Sequence, residues 1–288
     1  MHPYPFAYRR ATSVDEALQL LASEDDPKLL AGGQSLLPVM KLRFAQPGTL
    51  IDISEIADLR GVSLDGDTLT IGALTTHHDL ESDPLVAKHA PVLLEAAHVI
   101  GDQQVRNRGT IGGALVHADP AADYPAGVLA LDATIVARGS NGEREIPISE
   151  FFQGFMTTAL EPDELVTAIR IPAPGEATGS NYQKLANPAS GYAIVGIAAV
   201  VTKAEDGTIA SLRLGLTGVG EMPYRATAVE DALVGQEPTG DAIRAAAKKA
   251  VEGIEPLDDL HAPADYRRKV ACNLTRRAII NALDTLQA

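Results

Sequence analysis

Apolar residues in the N-terminal part of the chain switch between helical and strand-like spacing. Residues 13–16 (SVDE) have the pattern of a capping box, and the apolar positions that follow fall on one helical face. Residues 28–31 and 50–53 are short apolar runs typical of buried strands, and 36–42 is apolar enough for a helical turn. The pattern predicts a small unit of alternating strand and helix that ends near residue 56.

Strand-like patterns flank a helical stretch in the middle of the chain. Residues 62–64 and 69–71 predict a β-hairpin whose four-residue connection is looser than a tight turn. Residues 76–100 predict helices that are broken at prolines. Residues 165–171 alternate as a strand, and the sequence PAPG at 172–175 ends this middle unit.

The last part of the chain predicts an antiparallel sheet followed by helices. The predicted strands cover residues 182–185, 193–203 and 209–216, and the predicted helices cover 226–234, 241–254 and 264–286. We therefore expect an α+β protein. The expected domains are an N-terminal α/β unit (1–56), a middle α/β unit (57–175) and a C-terminal α+β unit (176–288).

The charge of the chain limits its possible partners. The formal net charge of −14 argues against a nucleic-acid surface, which needs many Lys and Arg residues to displace counterions. A phosphate-bearing ligand must therefore be held by local groups against an unfavourable field. No run approaches the roughly 20 apolar residues of a membrane helix, and the N-terminus lacks the order of a signal peptide. We expect a cytoplasmic protein.

Cys272 is the only cysteine in the sequence. One thiol cannot form an internal disulfide or supply the four thiolates that usually bind an iron–sulfur cluster. Its place in the apolar phase of a predicted helix indicates a buried, inert thiol. Any cluster chemistry connected with this chain must therefore occur on another chain.

Two glycine pairs are the strongest candidates for a binding site. They lie in AGGQS at 31–35, the first glycine segment, and in TIGGA at 110–114, the second glycine segment. Glycine adopts positive φ and lets a ligand approach the backbone, whose N–H groups can bind anions. Neither segment is a P-loop or a G-x-G-x-x-G fingerprint. Each alone is typical of a plain turn, whereas together they favour a ligand with two phosphates, such as a dinucleotide.

Five segments carry a resemblance to a known family. In chain order they are AGGQSLLPVMKLR, LIDIS, IGALTTHHDL, QVRNRGTIGGALVHADPAADYPA and YQKLANPASGYAIVGIAA. They resemble the FAD-binding medium subunit of molybdenum-containing hydroxylases, of the aerobic carbon monoxide dehydrogenase type, and more distantly the FAD domain of xanthine dehydrogenase. The resemblance covers nearly the whole chain. It implies an FAD-binding fold of two α/β subdomains (PCMH type), followed by a C-terminal antiparallel sheet with helices.

The resemblance implies non-covalent FAD in a cleft between the first two domains. By position, the FAD-binding residues are Ala31, Gly32, Gly33, Gln34 and Ser35 in the first glycine segment, Thr110, Ile111, Gly112, Gly113 and Ala114 in the second, and Asp123, Val166, Lys184 and Tyr192 beyond them. Both segments would hold the diphosphate, mainly through backbone amides. Asp123 would hydrogen-bond toward the ribityl or flavin region, and Tyr192 would stack on or near the isoalloxazine ring.

Two positions depart from the family pattern. Gln34 stands where the family often has histidine, and Ala114 stands where it often has asparagine. Because backbone amides dominate both cradles, the resemblance still implies FAD binding. The two changes put the potential of the flavin, and its electron acceptor, in doubt.

The resemblance also implies a role in electron transfer. In such complexes a large molybdenum-binding subunit oxidises the substrate, and a small iron–sulfur subunit relays electrons to FAD, which passes them to an external acceptor. The molybdenum cofactor and the [2Fe-2S] clusters are expected only on these partner subunits, in a dimer of heterotrimers. A quinone, NAD, oxygen and a carrier protein all stay open as acceptors. No catalytic residue and no metal site is expected on this chain.

Several residues also have plainer interpretations. Apart from the resemblance, Lys184 is typical of a strand lysine in solvent, and Asp123 of a buried, satisfied carboxylate. HHD at 77–79 and HAD at 117–119 contain metal-capable side chains without the spacing of a metal site. A basic stretch on the last helix predicts either a solvated face or a docking surface for an acidic subunit; its residues are Arg267, Arg268, Lys269, Arg276 and Arg277.

Two other functions stay open for the whole chain. One is a flavin-free structural subunit of the same kind of complex, which the changes at Gln34 and Ala114 keep possible. The other is a stand-alone FAD-dependent oxidase. Intact glycine pairs count against the first alternative. The lack of a cysteine near either glycine segment, and a C-terminal part too small for a substrate pocket, count against the second.

Overall fold

The computed structural model describes residues 2–175 and 177–286. Within them, three main sheets follow one another along the chain, and a two-stranded ribbon completes the strands. Each main sheet contributes to a separate hydrophobic core. The predicted α+β class and the predicted C-terminal antiparallel sheet are confirmed. No helix in the described part of the chain is long and apolar enough to cross a membrane.

The first sheet is small and parallel. Its elements are β1 (Ala7–Arg10), α1 (Val14–Ser23), β2 (Pro27–Leu30), α2 (Leu36–Lys41) and β3 (Thr49–Asp52). The strand order is β1-β3-β2, which makes the fully buried β3 the central strand. Because the strands are parallel, their carboxyl ends share one edge of the sheet, and the first glycine segment leaves from that edge.

Helix α1 begins with only half of the predicted capping box. The Ser13 hydroxyl oxygen accepts a hydrogen bond from the backbone N–H of Glu16 at 3.1 Å, as predicted. The Glu16 carboxylate, however, accepts from the backbone N–H and the hydroxyl of Thr12, both at 2.7 Å. These two bonds lower the pKa of Glu16. Thr12 replaces the Ser13 backbone as the partner because it offers two donors to one carboxylate.

The second sheet is antiparallel throughout. Its strands are β4 (Val62–Asp65), β5 (Thr68–Gly72), β6 (Thr134–Gly139), β7 (Gly142–Pro147) and β10 (Leu165–Pro172), and the separate ribbon contains β8 (Phe152–Gly154) and β9 (Thr157–Thr158). The order is β4-β5-β10-β6-β7. The predicted β4–β5 hairpin is confirmed, but its predicted four-residue connection is wrong. Only Gly66 and Asp67 connect the strands, and Gly66, at φ 55°, allows this tighter turn.

Helices fill the interval between β5 and β6. They are α3 (His77–Ser82), α4 (Pro84–His89), α5 (Pro91–His98), α6 (Gln103–Arg106), α7 (Ile111–His117) and α8 (Tyr124–Ala130), and α9 (Ile148–Phe151) follows β7. The predicted breaks at Pro84 and Pro91 are confirmed, since each proline occupies the first position of a new helix. The second glycine segment is not a turn, because Gly112 and Gly113 lie in the first turn of α7.

The third sheet pairs its strands in chain order. It contains β11 (Thr178–Ala186), β12 (Ala193–Lys203), β13 (Ile209–Thr217) and β14 (Tyr224–Arg225), followed by α10 (Thr227–Leu233), α11 (Gly240–Ala247) and α12 (Ala264–Asp284). The three predicted helices are confirmed, although α11 ends at Ala247 and residues 248–253 form turns.

Strand β12 is buried on both faces, which explains its uninterrupted apolar sequence. Ile197 and Ala199 belong to the core under α10, α11 and α12. The alternate residues Ala198 and Val200 belong to the core of the middle part. Helix α8, every residue of which is buried, packs on this second face. Because alternate residues of β12 face opposite sides of the strand, β12 joins the C-terminal part to the middle part.

Two side chains of α12 are placed differently from the predictions. Arg267 is only 3% exposed and so is not part of the solvated basic face. Its guanidinium lies 2.8 Å from both carboxylate oxygens of Asp259 and donates to the carbonyls of Ile194 and Gly218. Cys272 is only half-buried, although burial does raise the pKa of its thiol.

Gly215 marks a very close approach of β13 to α8. A Cβ at this position would overlap the carbonyl oxygen of Ala126. We therefore expect Gly215→Ala to lower the free energy of unfolding by about 2 kcal/mol, as in other overpacked cores, measured by urea unfolding. Gly154→Ala is a matched control, because nothing lies within 4 Å of its added Cβ. Equal unfolding midpoints for the two variants would contradict the close packing.

Candidate functional site

A cleft of about 370 Å³ lies between the first sheet and the middle part of the chain. Its volume lies within the range of small-molecule sites. Its walls come from the first glycine segment, the start of α2, the start of α7 and strand β10. The sequence-predicted residues that line it are Ala31, Gly32, Gly33, Gln34, Ser35, Thr110, Gly112, Gly113, Ala114 and Val166. The structure therefore brings both glycine segments to one cleft.

The first glycine segment offers free backbone donors. Gly33 has a φ of 75°, a left-handed conformation that glycine adopts without steric cost. The backbone N–H groups of residues 32–35 have no hydrogen-bond acceptor among the residues that the structure describes. Successive free N–H groups at such a bend form an anion-binding concavity. This segment can therefore bind a phosphate.

Gly32 sets the distance between the two glycine segments. A Cβ at Gly32 would overlap the carbonyl oxygen of Arg108 and lie 2.8 Å from the Cα of Gly109. Any other side chain would therefore push the segments apart. Gly32 provides the close backbone contact, whereas Gly33 provides the curvature.

Only the Thr110 N–H of the second glycine segment lacks an acceptor among the described residues, whereas the other four amides are paired. These four N–H groups donate within the protein, from Ile111 to the Thr75 carbonyl, from Gly112 to the Ala73 carbonyl, from Gly113 to the Thr110 hydroxyl oxygen, and from Ala114 to the Thr110 carbonyl. Backbone amides therefore offer only one free donor in this segment, and the expectation that it holds the diphosphate mainly through them stays a prediction. The acceptors at Thr75 and Ala73 lie far away in sequence, so local pattern could not reveal them.

The second glycine segment contributes close packing and one hydroxyl instead. A Cβ at Gly112 would lie 2.6 Å from the Ala73 carbonyl oxygen, so this glycine lets α7 rest against the backbone after β5. Thr110 caps α7 by accepting from the Gly113 N–H at 3.2 Å. A hydroxyl that accepts through a lone pair keeps its own proton, so Thr110 can still donate into the cleft.

Asp123 and Lys184 form a buried ion pair between the middle part and β11. Their side chains are 6% and 4% exposed, and Lys184 Nζ lies 2.9 Å from Asp123 Oδ2. The Tyr182 hydroxyl donates to the other carboxylate oxygen at 2.6 Å. Burial raises the pKa of Asp123, and Lys184 and Tyr182 oppose that rise. Lys184 is therefore not the strand lysine in solvent that its position alone predicts.

The remaining predicted residues lie outside the cleft lining. Asp123 and Lys184 are occupied with each other, and Ile111 is fully buried in the core. Tyr192 keeps 40% exposure, and its hydroxyl faces the side chain of Ser35. Burial raises the pKa of Tyr192. The structure thus brings Tyr192 from the C-terminal part to the first glycine segment.

His77 and His117 also line the cleft. In the sequence, both occur only in segments that lack the spacing of a metal site. Burial, assisted by nearby Arg106, lowers the pKa of His77 to about 4. Burial also lowers the pKa of His117, so both rings are neutral at pH 7. No three metal-ligating side chains converge anywhere in residues 2–175 and 177–286. No local sequence signal marks His77 as part of the cleft, because its neighbour Gly109, where a Cβ would collide with the ring, is close only in the folded chain.

The sequence matches two family descriptions that together cover nearly the whole chain. Residues 4–174 match "FAD binding domain in molybdopterin dehydrogenase". Residues 180–282 match "CO dehydrogenase flavoprotein C-terminal domain". The chain belongs to this flavoprotein family. The resemblance seen in the sequence is confirmed.

Relatives in this family cover the chain from end to end. The carbon monoxide dehydrogenase medium chain of Hydrogenophaga pseudoflava is 44% identical over 97% of both chains. The glyceraldehyde dehydrogenase medium chain of Sulfolobus acidocaldarius is 38% identical over 96% of this chain and 98% of that one. A solved structure of the Hydrogenophaga carbon monoxide dehydrogenase superposes with a TM-score of 0.95 at 46% identity, covering 98% of both chains. The whole fold is therefore that of the family.

The residues of the cleft fit FAD, the cofactor of this family. A diphosphate suits the free N–H groups of residues 32–35 and the hydroxyl of Thr110. A flat ring suits the apolar walls, which include Leu29, Val39, Leu74, Met156 and Leu165. The neutral histidines add polar atoms without adding charge. The assignment of FAD to this cleft therefore rests on the hydrogen-bond donors in the cleft as well as on sequence similarity.

We expect Gly33→Ala to weaken FAD binding about tenfold. Alanine in the left-handed region costs about 1–2 kcal/mol, and the segment relieves this cost by turning its N–H groups away from the phosphate. FAD fluorescence after desalting measures the fraction retained. Gly235→Ala carries a similar φ of 78° at a position with nothing within 4 Å of the added Cβ. If this control loses FAD equally, backbone strain at Gly33 is not what matters.

The Asp123–Lys184 pair predicts strong coupling between two substitutions. Either Asp123→Asn or Lys184→Met leaves one buried charge unpaired, which costs about 3–5 kcal/mol of unfolding free energy. The double variant removes both charges, so it should be more stable than either single variant. Urea unfolding of the four proteins measures the coupling. Additive losses would mean that the two side chains do not interact in solution.

Proposed function

We propose that this chain is the FAD-binding electron-transfer subunit of a molybdenum/iron–sulfur/flavin hydroxylase complex. It receives electrons from a partner iron–sulfur subunit and passes them to an external acceptor. The observation that carries the proposal is the cleft between the two glycine segments, with its row of free N–H groups at residues 32–35. A dinucleotide with two phosphates matches these donors in a chain whose net charge otherwise repels anions.

The composition of the chain indicates that other subunits carry the iron–sulfur clusters and the substrate site. Bound FAD supplies the redox chemistry, and the protein binds and orients it. One cysteine cannot hold an iron–sulfur cluster, so the electrons arrive from another chain. The relatives named for carbon monoxide and for glyceraldehyde resemble this chain over almost all of its length. That similarity supports oxidation of the substrate on a different subunit.

We assign the parts of the cofactor as follows. The diphosphate lies against the first glycine segment and the hydroxyl of Thr110. Val166, on β10, contributes to the wall that the ring faces. We assign Tyr192 to the ring on the family resemblance, and its approach to Ser35 supports a place beside the cofactor. Asp123 and Lys184 act as a fixed dipole behind the site, with the ammonium group favouring a reduced, anionic flavin.

The proposed organisation has three domains and two kinds of partner. The domains are residues 1–56, 57–175 and 176–288, each built around one of the main sheets. The partners are a small iron–sulfur subunit and a large molybdenum-binding subunit. Medium chains of multi-subunit dehydrogenases are the relatives that support this assembly. We further propose a dimer of heterotrimers in the cytoplasm.

The test is the visible spectrum of the complex isolated gently through this chain, before and after acid precipitation. We expect about one FAD per chain in the acid supernatant, together with iron–sulfur absorption from companion chains. Addition of the substrate of the complex under anaerobic conditions should bleach the flavin absorption. A colourless chain with companions attached would favour a flavin-free structural subunit. Flavin that stays in the pellet would favour an oxidase with covalent cofactor.

A further inference from the structure

A second groove lies between α11 and α12, away from the residues that line the FAD cleft. It has a volume of about 860 Å³. Its cationic side chains, which define what we call the basic groove, are Arg244, Lys248, Lys249, Arg268, Lys269 and Arg276. Glu252 is the only acidic residue in its lining. The basic groove thus has the opposite charge to the chain as a whole.

Most cations of the basic groove have no ion-pair partner in the part of the chain that the structure describes. Among the described residues, only Arg244 has an ion-pair partner, the exposed Asp241 at 3.1 Å. Arg244 and Lys248, the residue that caps the C-terminus of α11, are also one helical turn apart, a spacing at which like charges repel. The groove therefore holds an unneutralised cluster that an external anionic group would stabilise.

The overall charge of the chain makes this cluster selective. The groove collects six of the 24 Lys and Arg residues of a chain that has 38 Asp and Glu. An acidic protein that approaches most of this surface is repelled, and it is attracted only where cations are concentrated. Complementary charge of this kind fixes the orientation of a partner more than it adds affinity.

We propose that the basic groove docks an acidic segment, rich in Asp and Glu, of a companion subunit in the complex. The proposal rests on the proposed function in one respect, namely that this chain works within a multi-subunit complex. Clusters of Arg and Lys recognise acidic segments through charge-assisted hydrogen bonds to carboxylates. The groove extends over two helices, which suits a stretch of chain with several carboxylates.

The first test reverses charges in the groove. Arg268 and Lys269 are both exposed, so Arg268→Glu with Lys269→Glu leaves the core intact. We expect this double variant to raise the dissociation constant for the companion subunits by about tenfold or more at low salt, and less at high salt. Arg277→Glu is the matched control, because Arg277 is exposed on the same helix but outside the groove lining. It should change the constant less than about twofold.

The second test uses Cys272, the only thiol of the chain, which lies in the groove lining. Labelling with N-ethylmaleimide, followed by mass spectrometry of its peptide, reports the accessibility of the groove alone. We expect Cys272 to be labelled much more slowly in the complex than in the isolated full-length chain. Inorganic polyphosphate added to the isolated chain serves as the small-anion comparison.

The outcomes separate this proposal from the proposed function. Equal labelling in both states, with equal affinity for wild type and double variant, would overturn the docking proposal and show the groove open to solvent. Protection by polyphosphate without protection by companion subunits would overturn it in favour of a small-anion site. FAD content is measured on the same samples. Normal FAD content with failed docking therefore contradicts only the groove, whereas loss of FAD from every sample contradicts the proposed function.

Discussion

The contact of Gly32 with the backbone at Arg108 and Gly109 brings two distant parts of the chain within one cleft. Because no side chain fits between them, the separation of the glycine segments is set by backbone atoms alone. Gly112 makes a similar contact with Ala73, which fixes α7 against the end of β5. These contacts make the shape of the cleft a property of the backbone, so ligand donors are placed before any ligand arrives.

The two glycine segments look alike in sequence but act differently. Among the described residues, the N–H groups at 32–35 in the first segment have no acceptor, whereas the second segment donates all but one of its N–H groups within the protein. This division has an electrostatic consequence in a chain with a net charge of −14. In the proposed function, phosphate binding depends chiefly on the oriented dipoles of one short segment, and Lys28 is the only Lys or Arg among the residues that line the cleft. The second segment serves chiefly to hold α7 against the backbone after β5.

Much of the fold follows from sequence pattern, and the exceptions share a physical cause. Proline positions predicted the starts of α4 and α5, and the apolar run of β12 predicted a buried strand. Both features depend on local chemistry. The burial of Lys184 and Arg267 depends instead on acidic partners, Asp123 and Asp259, and that of Lys184 on a partner far away in sequence. A residue's own sequence neighbourhood cannot reveal such a partner, so both side chains looked like solvent-exposed cations.

The candidate site shows the same limit. The family resemblance predicted ten of the residues that line the cleft, but not which of their amides are free. That distinction depends on the carbonyls of Ala73 and Thr75, which the fold delivers to the second glycine segment. The histidines of the cleft were visible in the sequence, yet the lowered pKa of each ring comes from burial, which only the folded chain creates.

Hydrogen exchange tests the central claim most directly, that FAD is held through the free amides of the first glycine segment. The measurement compares the complex with and without FAD, peptide by peptide, by mass spectrometry. The account predicts that FAD slows exchange about tenfold or more at residues 32–35, since those N–H groups gain acceptors. Residues 111–114 should be protected in both states. Protection gained only at 111–114, with 32–35 unchanged, would contradict the account.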